Sequence, residues 1–145
     1  MKKNNSGFSL VELIIVIAIM AVLIGVLAPQ FLKFVEKSRE STDLQNVEEV
    51  KTAVETYVAD KGSSATLPGT INVTLTTGAT GAITSDTSVK EYGVADAGIK
   101  TKSSKWQGTF TWSYNTSTYT WTAPAAGVHA DYFNADGSDY VSTTP

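Results

Sequence analysis

The chain has 145 residues and a formal net charge of −3, and 42% of its residues are hydrophobic. A net acidic chain is a poor general binder of nucleic acid, because phosphates require cationic surfaces. The chain has no cysteine, one histidine (His129), no recognisable catalytic signature and no P-loop, so we expect that it is not an enzyme.

The first predicted element is a membrane-spanning helix near the N-terminus. From Leu13 to Ala28 every residue is apolar or glycine, and Glu12 is the only charged residue between Phe8 and Pro29. About 20 such residues span the core of a bilayer as a helix. A carboxylate inside the span costs about 2.5–3.5 kcal/mol, so Glu12 should have a function and a partner. The basic residues that precede the span predict a cytoplasmic N-terminus.

Residues 7–13, with the sequence Gly-Phe-Ser-Leu-Val-Glu-Leu, and the apolar run after them resemble the leader of type IV pilins and pseudopilins. In that family a membrane peptidase cuts after the glycine and methylates the new N-terminal amine. The resemblance implies that a leader of residues 1–7 is removed between Gly7 and Phe8, and that Phe8 becomes N-methylated. It covers roughly the first 60 residues.

The resemblance also implies an α+β, type IV pilin-like fold. A long N-terminal helix would serve over residues 8–29 as the membrane anchor and filament core. Residues 30–145 would form a globular head, in which the second part of the helix packs on a small antiparallel sheet.

Two residues of the apolar helix are expected to act in assembly. The Phe8 ammonium of a neighbouring subunit could pair with the Glu12 carboxylate and fix the register between apolar helices. The alternative is that Glu12 merely reaches towards the lipid headgroups. Pro29 lacks a backbone donor, so it should kink or partly unwind the helix around Gly25 to Gln30, or cause a simple bend at the membrane surface.

An amphipathic helix is predicted beyond Pro29, because apolar residues return at spacings of three and four. It should end near Lys61, since Gly62 follows. Its apolar stripe consists of Leu44, Val47, Val50, Val54, Tyr57 and Val58.

From Gly62 the composition shifts to Thr, Ser, Gly and Ala, which together with aromatic residues favours β-structure. Alternating apolar residues predict one half-buried strand over Ile71, Val73 and Leu75. The region from Leu75 to Lys105 gives no secure strand, and its expected buried positions are Val89, Val94 and Ile99.

A hairpin is predicted between Trp106 and Pro124, with its turn at Asn115 to Thr118. That turn would place Tyr114 opposite Tyr119 and Trp112 opposite Trp121. We expect these aromatic residues to cover the apolar stripe of the helix. A platform for carbohydrate or nucleic acid is the alternative.

The last candidate site is a loop rich in oxygen-bearing side chains near the C-terminus. Calcium takes six to eight oxygen ligands, and the loop surrounds a turn glycine, Gly137. Ordinary turn chemistry explains the same composition. The candidate calcium ligands are Asp131, Asn134, Asp136 and Asp139, and no other cofactor is expected.

The function that the resemblance implies is that of a structural subunit, which polymerises into a type IV pilus filament on the cell surface. Such filaments serve adhesion, twitching motility, aggregation or DNA uptake. The alternatives are a pseudopilin of a type II secretion or competence apparatus, and a monomeric membrane-anchored binding module.

The implied partners are copies of the chain itself, the prepilin peptidase, and the inner-membrane assembly platform with its ATPase. The precursor would lie in the cytoplasmic membrane, with its N-terminus in the cytoplasm, before it enters the extracellular filament. No specific nucleic acid is predicted. A small basic patch at Lys100, Lys102 and Lys105 could contact an anionic partner or form a solvated loop.

Overall fold

The computed structural model describes residues 9–62, 67–76, 81–104, 106 and 108–124. One long helix, α1 (Leu10–Lys61), precedes five strands: β1 (Thr70–Leu75), β2 (Ala82–Ser85), β3 (Ile99–Lys100), β4 (Phe110–Asn115) and β5 (Thr120–Thr122). A short 3-10 helix, Lys90–Tyr92, lies between β2 and β3. This arrangement confirms the predicted α+β class, with a long N-terminal helix and a small antiparallel sheet.

The chain forms two compact units, Met1–Ser38 and Arg39–Pro145, and α1 contributes to both. In the first unit the described residues after Ser9 are all helical, including Pro29. The partial unwinding expected around Gly25 to Gln30 is therefore not seen. A proline removes only one donor from the ladder, and the remaining backbone bonds of a long apolar segment keep it helical.

In the second unit the strands form one antiparallel sheet with the order β3-β2-β1-β4-β5. The first strand in the chain, β1, is therefore its centre. On β1 the side chains of Ile71, Val73 and Leu75 are buried, which confirms the predicted alternation. On the neighbouring strand β4 they lie opposite Tyr114, Trp112 and Phe110, respectively.

The core of this unit lies between the inner face of the sheet and α1. The helix contributes Val47, Val50, Ala53, Val54 and Val58, which are all buried in one cluster with the inner side chains of the strands. Val89 and Val94 are buried as expected, and Ile99 packs against the cluster from β3. Alternation on the strands and a spacing of three and four on the helix thus produce one shared core.

The register of the β4–β5 hairpin differs from the prediction. Tyr114 pairs with Trp121 rather than with Tyr119, so the predicted pairing of Trp112 with Trp121 is also wrong. The four-residue turn is displaced by one position, to residues 116–119, because the Asn115 side chain accepts hydrogen bonds from the backbone N–H groups of Ser117 and Thr118, at 2.9 and 3.0 Å. Tyr119 then closes the turn with a positive φ of 57°.

Candidate functional site

The apolar part of α1 in the first unit exposes large hydrophobic side chains on all of its faces. From Leu10 to Phe34 these side chains are between 49% and 73% exposed. The helix is long and apolar enough to cross a membrane, and no residue of its most apolar stretch is buried. Soluble monomers rarely expose contiguous apolar surface on this scale, so this surface requires lipid or other protein as its surroundings.

Glu12 has a partner within its own chain. The backbone N–H of Ser9 donates a hydrogen bond of 2.8 Å to the Glu12 carboxylate. Ser9 directly precedes the first helical residue, Leu10, so Ser9 is the N-cap and Glu12 is the third residue of the helix. This is the backbone half of a capping box, a Ser-x-x-Glu pattern that stabilises helix starts. The pattern is visible in the sequence but was not used in the prediction.

The Ser9 bond leaves Glu12 able to serve a second partner. The bond engages one carboxylate oxygen, and an ionised carboxylate can accept several hydrogen bonds. A cation of a neighbouring molecule could thus approach Glu12 without loss of the helix cap. Pro29, the other predicted assembly residue, lies nearly five helical turns further along α1, so the two residues are not in contact.

The remaining predicted site residues lie outside the described part of the chain. These are the cleavage residues Gly7 and Phe8, and the candidate calcium ligands Asp131, Asn134, Asp136 and Asp139. Within the described ranges, no group of three or more His, Cys, Asp or Glu residues could hold a metal ion. The cleavage site and the calcium loop both stay predictions.

The second unit contains a buried carboxylate that the sequence analysis did not single out. Asp43 on α1 is fully buried and accepts hydrogen bonds from the backbone N–H groups of Lys102 and Ser103, both at 2.8 Å. A third bond of 3.0 Å comes from the indole N–H of Trp106. Three donors offset the cost of burying the charge, and the contact fixes the loop between β3 and β4 to the helix. In the sequence, the burial of Asp43 is indicated only by its position four residues before Val47, which places it on the same face of the helix as the apolar stripe.

Except for Tyr119, which is 66% exposed and does not cover the helix as expected, the aromatic residues of the hairpin belong to the core rather than to a binding platform. Trp112 and Tyr114 are each only 5% exposed. Trp121 is half-buried, its ring centre lies 4.8 Å from that of Tyr114, and its indole N–H donates a 2.6 Å bond to Glu55. The ammonium group of Lys51 lies 5.2 Å from the centre of the Trp121 ring. These contacts confirm that the hairpin covers the helix.

A polar contact joins the end of α1 to the 3-10 helix. The hydroxyl of Tyr92 donates a 2.6 Å bond to Asp60, and its ring meets that of Tyr57 edge-on at 6.1 Å. The bond to Asp60, aided by burial, raises the pKa of Tyr92 to about 12. The same bond, together with the charge of Lys61, lowers the pKa of Asp60.

Basic residues line an open groove in the second unit. Arg39 on α1 and Lys100, Thr101 and Lys102 at β3 and after it form its walls. Gly98 directs the chain into β3, with a φ of 73°, and a Cβ at this position would collide with the carbonyl oxygen of Ile83. Two residues of the predicted basic patch, Lys100 and Lys102, therefore line the same groove. The third, Lys105, lies outside the described residues.

Comparisons with known proteins point to one family. Residues 2–28 match the family model described as the prokaryotic N-terminal methylation motif. The chain is 37% identical over 60 residues to the type IV major fimbrial protein FimA of Dichelobacter nodosus, an alignment that covers 41% of the chain and 38% of FimA. It is 37% identical over 58 residues to the type IV major pilin protein PilA of Myxococcus xanthus, with coverages of 40% and 26%.

A third relative aligns over nearly its whole length. The fimbrial protein EcpC of Eikenella corrodens is 28% identical over 158 positions, which cover 100% of the chain and 98% of EcpC. In the two more similar alignments, by contrast, the chain spans well under half of the relative. No solved structure gives a significant match. The comparisons confirm the resemblance to type IV pilins, and these relatives are pilus or fimbrial proteins, in agreement with the prediction of a non-enzymatic protein.

Proposed function

We propose that this chain is a pilin that polymerises into a type IV pilus filament. The observation that carries the proposal is the start of α1, where a carboxylate at the helix cap is followed by an apolar surface exposed on every face. The matched methylation motif covers the same residues. A segment of this kind can first reside in lipid and then pack against copies of itself.

Burial of the exposed apolar surface would supply the driving force for polymerisation. Each large apolar side chain contributes about 1.5–3 kcal/mol on full burial, so the segment from Leu10 to Phe34 can contribute some tens of kcal/mol as an upper bound. The same surface makes spontaneous release from lipid unfavourable. We therefore infer that the inner-membrane platform and its ATPase extract the subunit, whose N-terminus would face the cytoplasm in the precursor.

The proposed processing removes residues 1–7 and creates the group that Glu12 needs. Prepilin peptidase would cut between Gly7 and Phe8 and methylate the Phe8 amine. A neighbouring subunit could then bring that ammonium to Glu12, which is presented at the capped start of the helix. Because Ser9 would remain in the mature chain, the cap would persist beside the new N-terminus.

Intact-mass measurement and N-terminal sequencing of sheared surface filaments test the proposal directly. The expected subunit begins at N-methyl-Phe8, and electron microscopy should show long surface fibres that an antibody to the head labels. A subunit that begins at Met1 would refute the processing. Short periplasmic fibres would indicate a pseudopilin, and the absence of any fibre would indicate a monomeric anchored protein.

Glu12→Ala separates assembly from membrane insertion. Loss of the carboxylate should make insertion easier, because a charge in the span is costly. The variant should therefore reach the membrane in normal amounts but enter filaments poorly beside wild-type subunits. Glu91→Ala, at an 80%-exposed side chain of the 3-10 helix, is the matched control for removal of a carboxylate. Equal incorporation of both variants would show that Glu12 does not act in assembly.

A further inference from the structure

Two surfaces of the second unit carry opposite charge, and the first is the groove described above. Arg39, Lys100 and Lys102 are all exposed there. The groove has a defined shape, because Asp43 holds the backbone of Lys102 and Ser103 against the helix. Its cations are thus attached to backbone that is fixed at both β3 and α1.

The second surface is the face of α1 that points away from the sheet. We call it the acidic face, and it contains no exposed basic residue between Ser41 and Asp60. Two lysines contact this face. Lys51, with 16% of its side chain exposed, bonds to Glu48 and lies over Trp121, and Lys61, with 42% exposed, lies 3.5 Å from Asp60 at the end of the helix. The exposed acidic residues of this face are Glu48, Glu49, Glu55 and Asp60.

We propose that the basic groove of one subunit contacts the acidic face of α1 in a neighbouring copy, with Glu49 at the centre of the contact. This inference rests on the proposed function, since only a filament holds copies with their helices parallel. Glu49 lies ten residues after Arg39, so a copy displaced by about 15 Å along the helix axis brings its groove to that level. A helical filament gives each subunit neighbours at several axial offsets.

Charge complementarity favours a second copy over nucleic acid as the occupant. The groove presents three cations, whereas the whole chain has a formal net charge of −3, which disfavours the long-range approach of a polyanion. The acidic face, in contrast, is present at the same concentration as the groove wherever the subunits assemble. Complementary charges on repeated copies also fix their relative position, which apolar helices alone define weakly.

The test uses the full chain in cells that assemble it. Lys100→Glu combined with Lys102→Glu replaces two of the three groove cations by anions, and Glu49→Lys reverses the charge at the centre of the acidic face. We expect the yield of sheared filaments to fall at least about fivefold in each, as an exposed attraction becomes a repulsion. The chain with all three substitutions again places opposite charges at the centre of the contact, so its filament yield should recover.

A second triple variant is the matched control. It combines Lys100→Glu and Lys102→Glu with Glu91→Lys, a reversal at a highly exposed residue of the 3-10 helix. This chain has the same net charge as the rescued one but an unaltered acidic face, and its yield should stay low. Immunoblots of whole cells establish that all variants accumulate, and recovery in the first triple variant shows that the groove substitutions do not prevent folding.

Several outcomes overturn the inference. Normal filament yield from the groove-reversed chain excludes the groove as a contact, and equal yields from the two triple variants exclude Glu49 as its partner. If wild-type filaments retard duplex DNA in a gel, and groove reversal abolishes this without a change in yield, the groove serves nucleic acid instead. If wild-type cells form no filament, the proposed function fails, and this inference fails with it.

Discussion

Replacement of Asp43 should strongly destabilise the second unit, Arg39–Pro145. In Asp43→Ala the N–H donors of Lys102, Ser103 and Trp106 lose the carboxylate that accepts from them. Each orphaned buried donor costs about 1–3 kcal/mol, and neighbouring losses add incompletely, so we expect a total of about 3–5 kcal/mol. This is a large part of the stability of a domain of this size.

Asp43→Asn should have a smaller effect, because the amide keeps one acceptor oxygen. In the native contact one oxygen accepts from Ser103 and Trp106, and the other accepts from Lys102. With the amide oxygen placed towards the first pair, its NH₂ group faces the N–H of Lys102. One charge-assisted bond is then lost, which corresponds to about 1.5–3 kcal/mol.

Urea unfolding of a head fragment, residues 30–145, measures both effects through the midpoint and the slope. Glu49→Ala is the control, because an exposed carboxylate on the same helix should change stability by no more than about 0.5 kcal/mol. The reasoning is refuted if Asp43→Ala unfolds within about 1 kcal/mol of the wild-type fragment, since no set of three satisfied buried bonds is worth so little.

Three further predictions concern the same fragment. Trp112→Ala should cost about 3–5 kcal/mol, whereas Tyr119→Ala, at an exposed turn position, should cost far less; equal midpoints would reject the core assignment. The pKa of Tyr92 is raised to about 12 from an ordinary value of 10.0, so the hydroxyl stabilises the fold fully below pH 10 and this stabilisation is lost as the pH rises through 12. The difference in unfolding free energy between the wild-type fragment and Tyr92→Phe should therefore vanish between pH 10 and 12. A difference that stays constant over this range would contradict the assignment. If the loop from Asp131 to Asp139 binds calcium, free calcium at a hundred times its dissociation constant should add about 2.7 kcal/mol, and identical thermal unfolding in chelator would reject the site.

The parts of the fold that depend on regular spacing could be predicted from sequence. The apolar run of α1, its later amphipathic stripe and the alternation in β1 each follow from where side chains point on a helix or strand. β2 and β3 could not be predicted, because β2 has four residues with a single large apolar side chain, Ile83, and β3 has only two residues, Ile99 and Lys100.

The hairpin register shows a second limit. The alternation of aromatic residues on β4 is clear in the sequence, yet the turn position depends on one side chain, Asn115, which accepts from the N–H groups of Ser117 and Thr118 within a turn over residues 116–119. A shift of two residues keeps the same faces inward, so the hydrophobic pattern alone does not distinguish the two registers. Asp43 was missed for a related reason, since its donors lie about 60 positions later in the chain.

The Asp43 contact also bears on when the head folds. Its three donors follow it by 59, 60 and 63 positions. The central strand β1 can pair on one side only after β4 has been made, since Ile71 pairs with Tyr114. Contacts so distant in sequence form late, because the entropy of closing long loops opposes them. No early part of the chain holds enough of the core to fold alone. If α1 anchors the precursor in the membrane as proposed, the second unit would be translocated as an extended polypeptide and would become globular only after β5 had emerged.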